Sequence, residues 1–232
     1  MKDLFGKAIL DFQTHTSSED LVTETNITEP DEMSVAYLFR SYAEMPKLEQ
    51  KALQLAKGNI LDIGCGAGSH SLYLQEKGLH VTSIDISENA IQACQLRGIT
   101  NARVQNVLEV QNEKYDTVLL LMNGTGIFGT LAHTSKYLQH LKTLLNPNGQ
   151  ILIDSSDIIY MFDEEEDGSK WIPGDGYYGE LTFTISYKNE TEASFPWLYL
   201  DYNTLQNAAA ANGLQCELVL EGDHYDYLAK LY

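Results

Sequence analysis

An α/β fold, with a mostly parallel sheet and helices on both faces, is what this 232-residue chain predicts. Three observations carry that reading. From Asn59 onward, short apolar strands alternate with helical patterns, the signature of strand–helix–strand units. The run Asp116-Thr117-Val118-Leu119-Leu120-Leu121-Met122 is the most apolar in the chain, as a parallel strand covered on both faces must be. Three alternate glycines, Gly64, Gly66 and Gly68, separate the first of these strands from its helix. Alternate glycines let the backbone turn tightly and lie flat against a ligand, because no Cβ intervenes.

Residues 1–57 predict an N-terminal helical cap. Leu4, Phe5, Ala8, Ile9 and Phe12 make a short amphipathic piece, followed by a polar stretch rich in Thr and Glu that ends at Pro30. Pro30-Asp31-Glu32 opens a helix containing Val35, Tyr37, Leu38 and Tyr42. A further helix runs from about Pro46 to Lys57, with Leu48, Ala52, Leu53, Leu55 and Ala56 on its apolar face.

Residues 58–154 predict the core. Ile60, Leu61 and Ile63 form the first strand, and a helix follows over 69–77, stopped by Gly78. His80–Ile84 is a second strand with Asp85 at its carboxyl end. Ser87-Glu88 caps a helix that reaches about Arg97 before Gly98. Ala102–Gln105 is a third strand, ending at Asn106-Val107. After the apolar run come Asn123-Gly124-Thr125-Gly126 and a helix with Leu131, Tyr137, Leu138, Leu141, Leu144 and Leu145. Asn146–Gly149 then turns into a fifth strand, Gln150–Asp154.

Residues 155–200 predict a β-rich insertion. Leu181–Tyr187 alternates as a half-buried strand, Asn189-Glu190 turns, and Glu192–Leu200 returns as its partner. The acidic run 163–167 reads as a solvated loop. Residues 201–232 rejoin the core: Asp201 and Asn203 offer caps for a helix over 204–211, and 214–220 and 227–232 are the last strands.

Composition sets limits on function. Fifteen basic against 33 acidic residues give a net charge of −18, which repels phosphate backbones and argues against nucleic-acid partners. No run approaches the 18 or so apolar residues of a membrane span, so no membrane association is expected. Met1–Gly6 opens without the apolar region of a secretory signal. Cys65, Cys94 and Cys216 are odd in number and widely spaced. That pattern fits a reducing cytoplasm and neither a disulfide framework nor a metal site.

The glycine loop reads G-x-G-x-G, with Asp62 two residues ahead of Gly64. The dinucleotide fingerprint is G-x-G-x-x-G, so a nicotinamide dehydrogenase is disfavoured. An acid at Asp62 would repel a pyrophosphate and suits a cationic ligand. Asp85, at the tip of strand two, can accept both hydroxyls of a ribose. This segment resembles the first motif of the class I S-adenosylmethionine (SAM) dependent methyltransferases, notably the type 11/25-like small-molecule enzymes. Leu145-Asn146-Pro147-Asn148-Gly149-Gln150 resembles them too.

The resemblance implies a Rossmann-like, seven-stranded, mostly parallel sheet whose last strand is antiparallel. It implies SAM as cofactor, with Asp62, Gly64, Gly66, Gly68 and His70 around the loop. Asp85 and Ile86 would take the ribose region, Asn106 the adenine amino group, Val107 the ring, and Met122 and Asn123 the far end. In such enzymes N-terminal helices cover the cofactor cleft, which would bring Tyr37, Arg40 and Tyr42 near it.

The acceptor is expected to be a small molecule methylated on O or N. The N/D-P-P-Y/F signature of nucleobase and glutamine methylases is missing after strand four. A base is needed where the acceptor must lose a proton, and His133 and His224 are the candidates. Segment 155–200, with Tyr160, Phe162, Trp171, Tyr177, Tyr178, Phe183, Tyr187, Phe195, Trp197 and Tyr199, reads as an acceptor cap, or equally as a sheet extension or homodimer contact. A SAM-binding protein without catalysis and a protein or RNA methyltransferase are the alternatives.

Overall fold

The computed structural model describes residues 2–17, 19–162, 170, 172 and 176–232; the acidic run 163–167 and Trp171 lie outside the described residues. In chain order the elements are α1 (Leu4–Gln13), β1 (Leu21–Thr25), β2 (Thr28–Met33), α2 (Lys47–Leu55), β3 (Asn59–Ile63), α3 (Ser69–Glu76), β4 (His80–Asp85), α4 (Glu88–Leu96), β5 (Ala102–Val104) and β6 (Tyr115–Leu120). They continue with α5 (Thr134–Thr143), β7 (Leu145–Ser156), β8 (Glu180–Tyr187), β9 (Glu190–Thr191), β10 (Phe195–Leu198), α6 (Tyr202–Ala211), β11 (Cys216–Glu221) and β12 (Asp226–Leu231).

Seven strands form the main sheet in the order β11-β12-β7-β6-β3-β4-β5. Pairs β7/β6, β6/β3, β3/β4 and β4/β5 are parallel, and β12 runs antiparallel to both its neighbours. The expected Rossmann-like sheet, with its antiparallel last strand, is therefore the observed one. Side-chain alternation divides each central strand between two faces. Leu61, Val118, Leu120, Ile151 and Ile153 pack with Leu138 and Leu141 of α5 and Leu205 and Ala209 of α6. Ile60, Leu119 and Leu152 pack with Leu48, Ala52 and Leu53 of α2 and Leu74 of α3. Burying each such side chain contributes about 1.5–3 kcal/mol, so both layers are secured by the same strands.

A second, antiparallel sheet has the order β10-β8-β1-β2, with β9 also on β8. This corrects the expectation of a helical N-terminal cap over 1–57: α1 and α2 are helices, but β1 and β2 lie between them. Pro30, expected to open a helix, lies in β2, and Val35–Phe39 is a short 3₁₀ turn. The cause is long-range pairing: Val22, Thr23, Glu24 and Thr25 of β1 lie opposite Ser186, Ile185, Thr184 and Phe183 of β8. β2 is the sheet's edge, where a proline without an N–H is tolerated. The N-terminal segment and the insertion thus build one layer. α1 joins it through the buried bond from Leu4 N–H to Glu192 Oε1 (3.1 Å) and through Tyr187 Oη to Asp11 Oδ2 (3.1 Å).

Of the predicted caps, Ser87 and Asp201 are in place, whereas Asn203 lies inside α6. Ser87 Oγ accepts Ala90 N–H at 2.9 Å, and Asp201 Oδ1 accepts Thr204 N–H at 2.9 Å.

Candidate active site

The glycine loop leaves β3 with Gly64, Gly66 and Gly68 at φ of +68°, +53° and +78°. The three serve different ends. Among the described residues, a Cβ on Gly64 would meet nothing within 4 Å, and one on Gly66 only Ile9 Cδ1 at 4.0 Å. One on Gly68 would lie 2.2 Å from Ile99 Cδ1 and 2.8 Å from Cys94 Sγ. The first two glycines keep a backbone surface open to a ligand, whereas the third lets α3 pack on the α4 side.

Asp85 ties the loop down from strand β4. Its Oδ2 accepts Gly66 N–H and its Oδ1 accepts Ser87 N–H, each at 2.9 Å. Burial raises its pKa, against the pull of these backbone donors. Ile86 beside it is 64% exposed, a large apolar face standing in the open. Asn106 Oδ1 accepts Leu108 N–H at 2.9 Å, so one of its two acceptor positions caps the turn Val107–Glu109. Val107 is buried in the core with Ile63 and Ile84. Asp62 is also buried: its Oδ2 accepts Ser71 Oγ–H at 2.6 Å, and Ser71 in turn accepts Ser83 Oγ–H at 2.7 Å. Desolvation is the main cause of its raised pKa, while His70 and Ser71 pull it down.

His70, on the first turn of α3, belongs to a buried triad. Glu49 of α2 accepts from Arg40 Nη2 at 2.5 Å and pairs with His70 Nε2 at 2.6 Å. Arg40, Glu49 and His70 are 7%, 4% and 8% exposed. Burial works to raise the Glu49 pKa, and the His70 and Arg40 partners outweigh it, leaving the carboxyl below its usual value. Arg40 also donates Nη1 to Tyr37 O at 2.6 Å and lies 3.9 Å from the Tyr37 ring centroid. Among the described residues its Nε has no hydrogen-bond partner. Tyr42 stacks instead on Tyr73, at 4.2 Å between centroids. Sequence reading missed Glu49, because it appears there as one acid of an ordinary amphipathic helix.

At the carboxyl end of β6, Met122 and Asn123 both take left-handed backbone, φ +66° and +59°. Such geometry is costly for residues with a Cβ. Asp154 at the end of β7 compensates: its two oxygens accept Met122 N–H at 3.0 Å and Gly124 N–H at 2.9 Å. Burial pushes the Asp154 pKa up to about 7 despite these donors. Ser155 donates to Asn123 Oδ1 at 2.9 Å and accepts Leu200 N–H at 2.9 Å. Asn123 Nδ2 reaches Leu198 O at 3.3 Å and Thr125 Oγ1 reaches it at 2.9 Å. The loop is thereby fastened to the strand that returns from the insertion. Asp154 and Ser155 carry no motif, and only their place at a strand end could have drawn notice.

Aromatic side chains of the insertion gather on this side. Trp197 lies on Gly126, where a Cβ would stand 2.0 Å from its ring. Tyr160 stacks on Tyr225 at 4.8 Å. Tyr178 Oη donates to Asp157 Oδ1 and Tyr177 Oη to Asp201 Oδ2, each at 2.7 Å. The Tyr199 hydroxyl is pushed up to about 12, chiefly by burial, with Tyr160 and Asp154 adding repulsion. His133 follows the β6 loop, and His224 directly precedes Tyr225. Both are exposed. His133 Nδ1 pairs with Thr130 Oγ1 at 3.2 Å, and the His224 bond is from its backbone N–H to Asp226 Oδ1. Among the described residues, no group of three or more His, Cys, Asp or Glu could hold a metal ion.

Residues 36–217 match the family model of a methyltransferase domain. A SAM-dependent methyltransferase from Bacteroides fragilis, solved in complex with S-adenosyl-L-homocysteine, is 44% identical with a TM-score of 0.92; the match covers 100% of this chain and 94% of that one. The putative methyltransferase YqeM of Bacillus subtilis (strain 168) is 29% identical over 104 residues, 42% of each chain. A ubiquinone biosynthesis O-methyltransferase of Rickettsia prowazekii (strain Madrid E) is 27% identical over 115 residues, 47% of this chain and 44% of that protein. The chain thus spans less than half the length of these curated relatives. A match reaching from Ala36 to Glu217 takes in the glycine loop, the strand ends beside it and the insertion, and on that extent the chain belongs to the class I SAM-dependent methyltransferase family.

Proposed function

We propose that SAM lies across the carboxyl ends of β5, β4, β3 and β6, and that its methyl group passes to O or N of a small-molecule acceptor. The observation that carries this reading is the open surface over Gly64 and Gly66, with Asp85 at its edge. A flat adenosyl ligand fits a backbone cradle that a Cβ would fill. Asp85 is the ribose partner, Ile86 the apolar face beside it, and Asn106 and Val107 the adenine end. Asp62, Gly68 and His70 hold the loop and its helix, and Met122 and Asn123 border the methyl-bearing end. The relative from Bacteroides fragilis, in complex with S-adenosyl-L-homocysteine, supports this cofactor.

The bound cofactor supplies an electrophilic methyl carbon on a good leaving group. The protein's share is to hold the acceptor in line with it and to keep water out, which can provide much of the acceleration. The insertion's aromatic residues, Tyr160, Tyr178 and Tyr199, form the wall on the acceptor side. The net charge of −18 supports an acceptor other than nucleic acid. No helix among the described residues is long and apolar enough to cross a membrane. Should the acceptor need a base, His133 and His224 are surface candidates, to be tested by the pH–rate profiles of their alanine variants.

Calorimetry tests the cofactor reading. Asp85→Ala should remove charge-assisted hydrogen bonds worth roughly 1.5–3 kcal/mol each, weakening SAM and S-adenosylhomocysteine together. Unchanged affinity in the variant would show that strand β4 does not hold the ribose.

A further inference from the structure

Asp154 is a buried acid that the reading above leaves without a chemical task. It is 9% exposed and ends β7. Its partners are the N–H groups of Met122 and Gly124, at 3.0 and 2.9 Å. Among the described residues no Lys or Arg side chain is ion-paired with it, and the buried Arg40 guanidinium is held by Glu49. A carboxylate withdrawn from water is unfavourable unless a cation or a proton balances it.

Its place in the sheet says which cation. The strand order is β5, β4, β3, β6, β7. With the cofactor lying over the first four, Asp154 stands one strand past the methyl-bearing end, on the acceptor side. The aromatic segment of the insertion reaches the same place through Leu198 and Leu200, which bond to Thr125 and Ser155. Asp154 acts electrostatically on Tyr37, Tyr199 and Tyr227, and is itself acted on by Glu49 and His70. A buried carboxylate close enough to feel the Tyr37 and Tyr199 hydroxyls suits an ammonium group, which aromatic faces also attract.

We propose that Asp154 is the counter-charge and proton acceptor for an amine, so that this methyltransferase acts on nitrogen. The inference rests on the cofactor reading given above. An arriving ammonium gives one proton to the Asp154 carboxylate, which exposes the nitrogen lone pair. That pair forms the N–C bond while the C–S bonding pair returns to sulfur, leaving neutral S-adenosylhomocysteine and a methylammonium product. The proton on Asp154 then leaves to water. A neutral alcohol would leave the buried charge unbalanced on arrival.

Sinefungin, an analogue of SAM with an amine in place of the methylated sulfonium, tests this without a known acceptor. Calorimetry should find sinefungin bound about tenfold or more tightly than S-adenosylhomocysteine, as one charge-assisted hydrogen bond allows. Asp154→Asn should erase that ratio, with the variant's own S-adenosylhomocysteine affinity as the reference that absorbs any shift of the Met122–Gly124 loop, since the thioether carries no charge to read. A ratio that survives in the variant overturns the proposal. So does a SAM to S-adenosylhomocysteine ratio that falls as far as the sinefungin ratio, because the carboxylate would then read sulfur. If the variant does not fold, the parent protein still decides. Its sinefungin ratio must drop as acid protonates Asp154, and must drop equally in His70→Gln. A ratio flat with pH overturns the proposal. Failure of the parent to bind S-adenosylhomocysteine would instead overturn the cofactor reading.

Discussion

Asp154 and Glu49 are two buried acids with opposite titration behaviour. Asp154 rises from 3.8 to about 7 on folding, mainly through desolvation. An acid whose folded pKa lies above its unfolded one favours the folded state most when protonated. Stability of the ligand-free protein should therefore fall as pH climbs from about 4 to about 7, and Asp154→Asn should flatten that decline. Thermal melts across the window decide it, and parallel profiles for the two proteins would show that Asp154 holds no proton there. Glu49 is lowered from 4.5 on folding, so its contribution is present above that value and is lost as pH falls below it. Glu49→Gln leaves Arg40 buried beside a neutral amide. Breaking a buried pair in this way costs about 3–5 kcal/mol, which should appear as a large drop in melting temperature.

The loop between β3 and α3 shows how one motif divides into binding and packing parts. Gly64→Ala meets no neighbour within 4 Å among the described residues. It should cost folding only the left-handed backbone, about 1–2 kcal/mol, while S-adenosylhomocysteine binding is lost. Gly68→Ala has the same backbone demand and also overlaps Ile99 and Cys94. Overpacking adds about 1–3 kcal/mol, so this variant should melt well below Gly64→Ala. Equal melting temperatures would mean that α4 yields freely at Cys94. The motif's spacing was legible in the sequence, but the division of labour was not. It depends on Ile99 and Cys94, which reach Gly68 through the packing of α4 and the turn after it.

The molecule as a whole joins a family core to a second sheet, and its N-terminal hairpin is the joint. β8 has β1 on one side and β10 on the other. Deleting residues 2–34 would bare the β1 side of β8 as an unprotected edge, a template for association. Sedimentation should then show oligomers or aggregates where the full chain gives one species; a single unchanged species would mean that the edge is otherwise covered. The charge of −18 also belongs to this level. It predicts no salt-sensitive binding to duplex DNA or structured RNA, and retention of tRNA at physiological salt would reopen an RNA acceptor.

Strand–loop–helix order from Asn59 to Ser156, the caps at Ser87 and Asp201 and the three glycines could be read directly, because periodicity, capping and backbone freedom act over a few residues. The N-terminal hairpin could not. Leu21–Thr25 is a strand because β8, some 160 residues later, presents an edge to it. The same distance hides the buried charges. Arg40, Glu49 and His70 come from three separate elements, and Asp154 meets the β6 loop from 30 residues away. Burial and partnership, which push the pKa of one ordinary acid up and hold that of another down, exist only after the chain has brought those elements together.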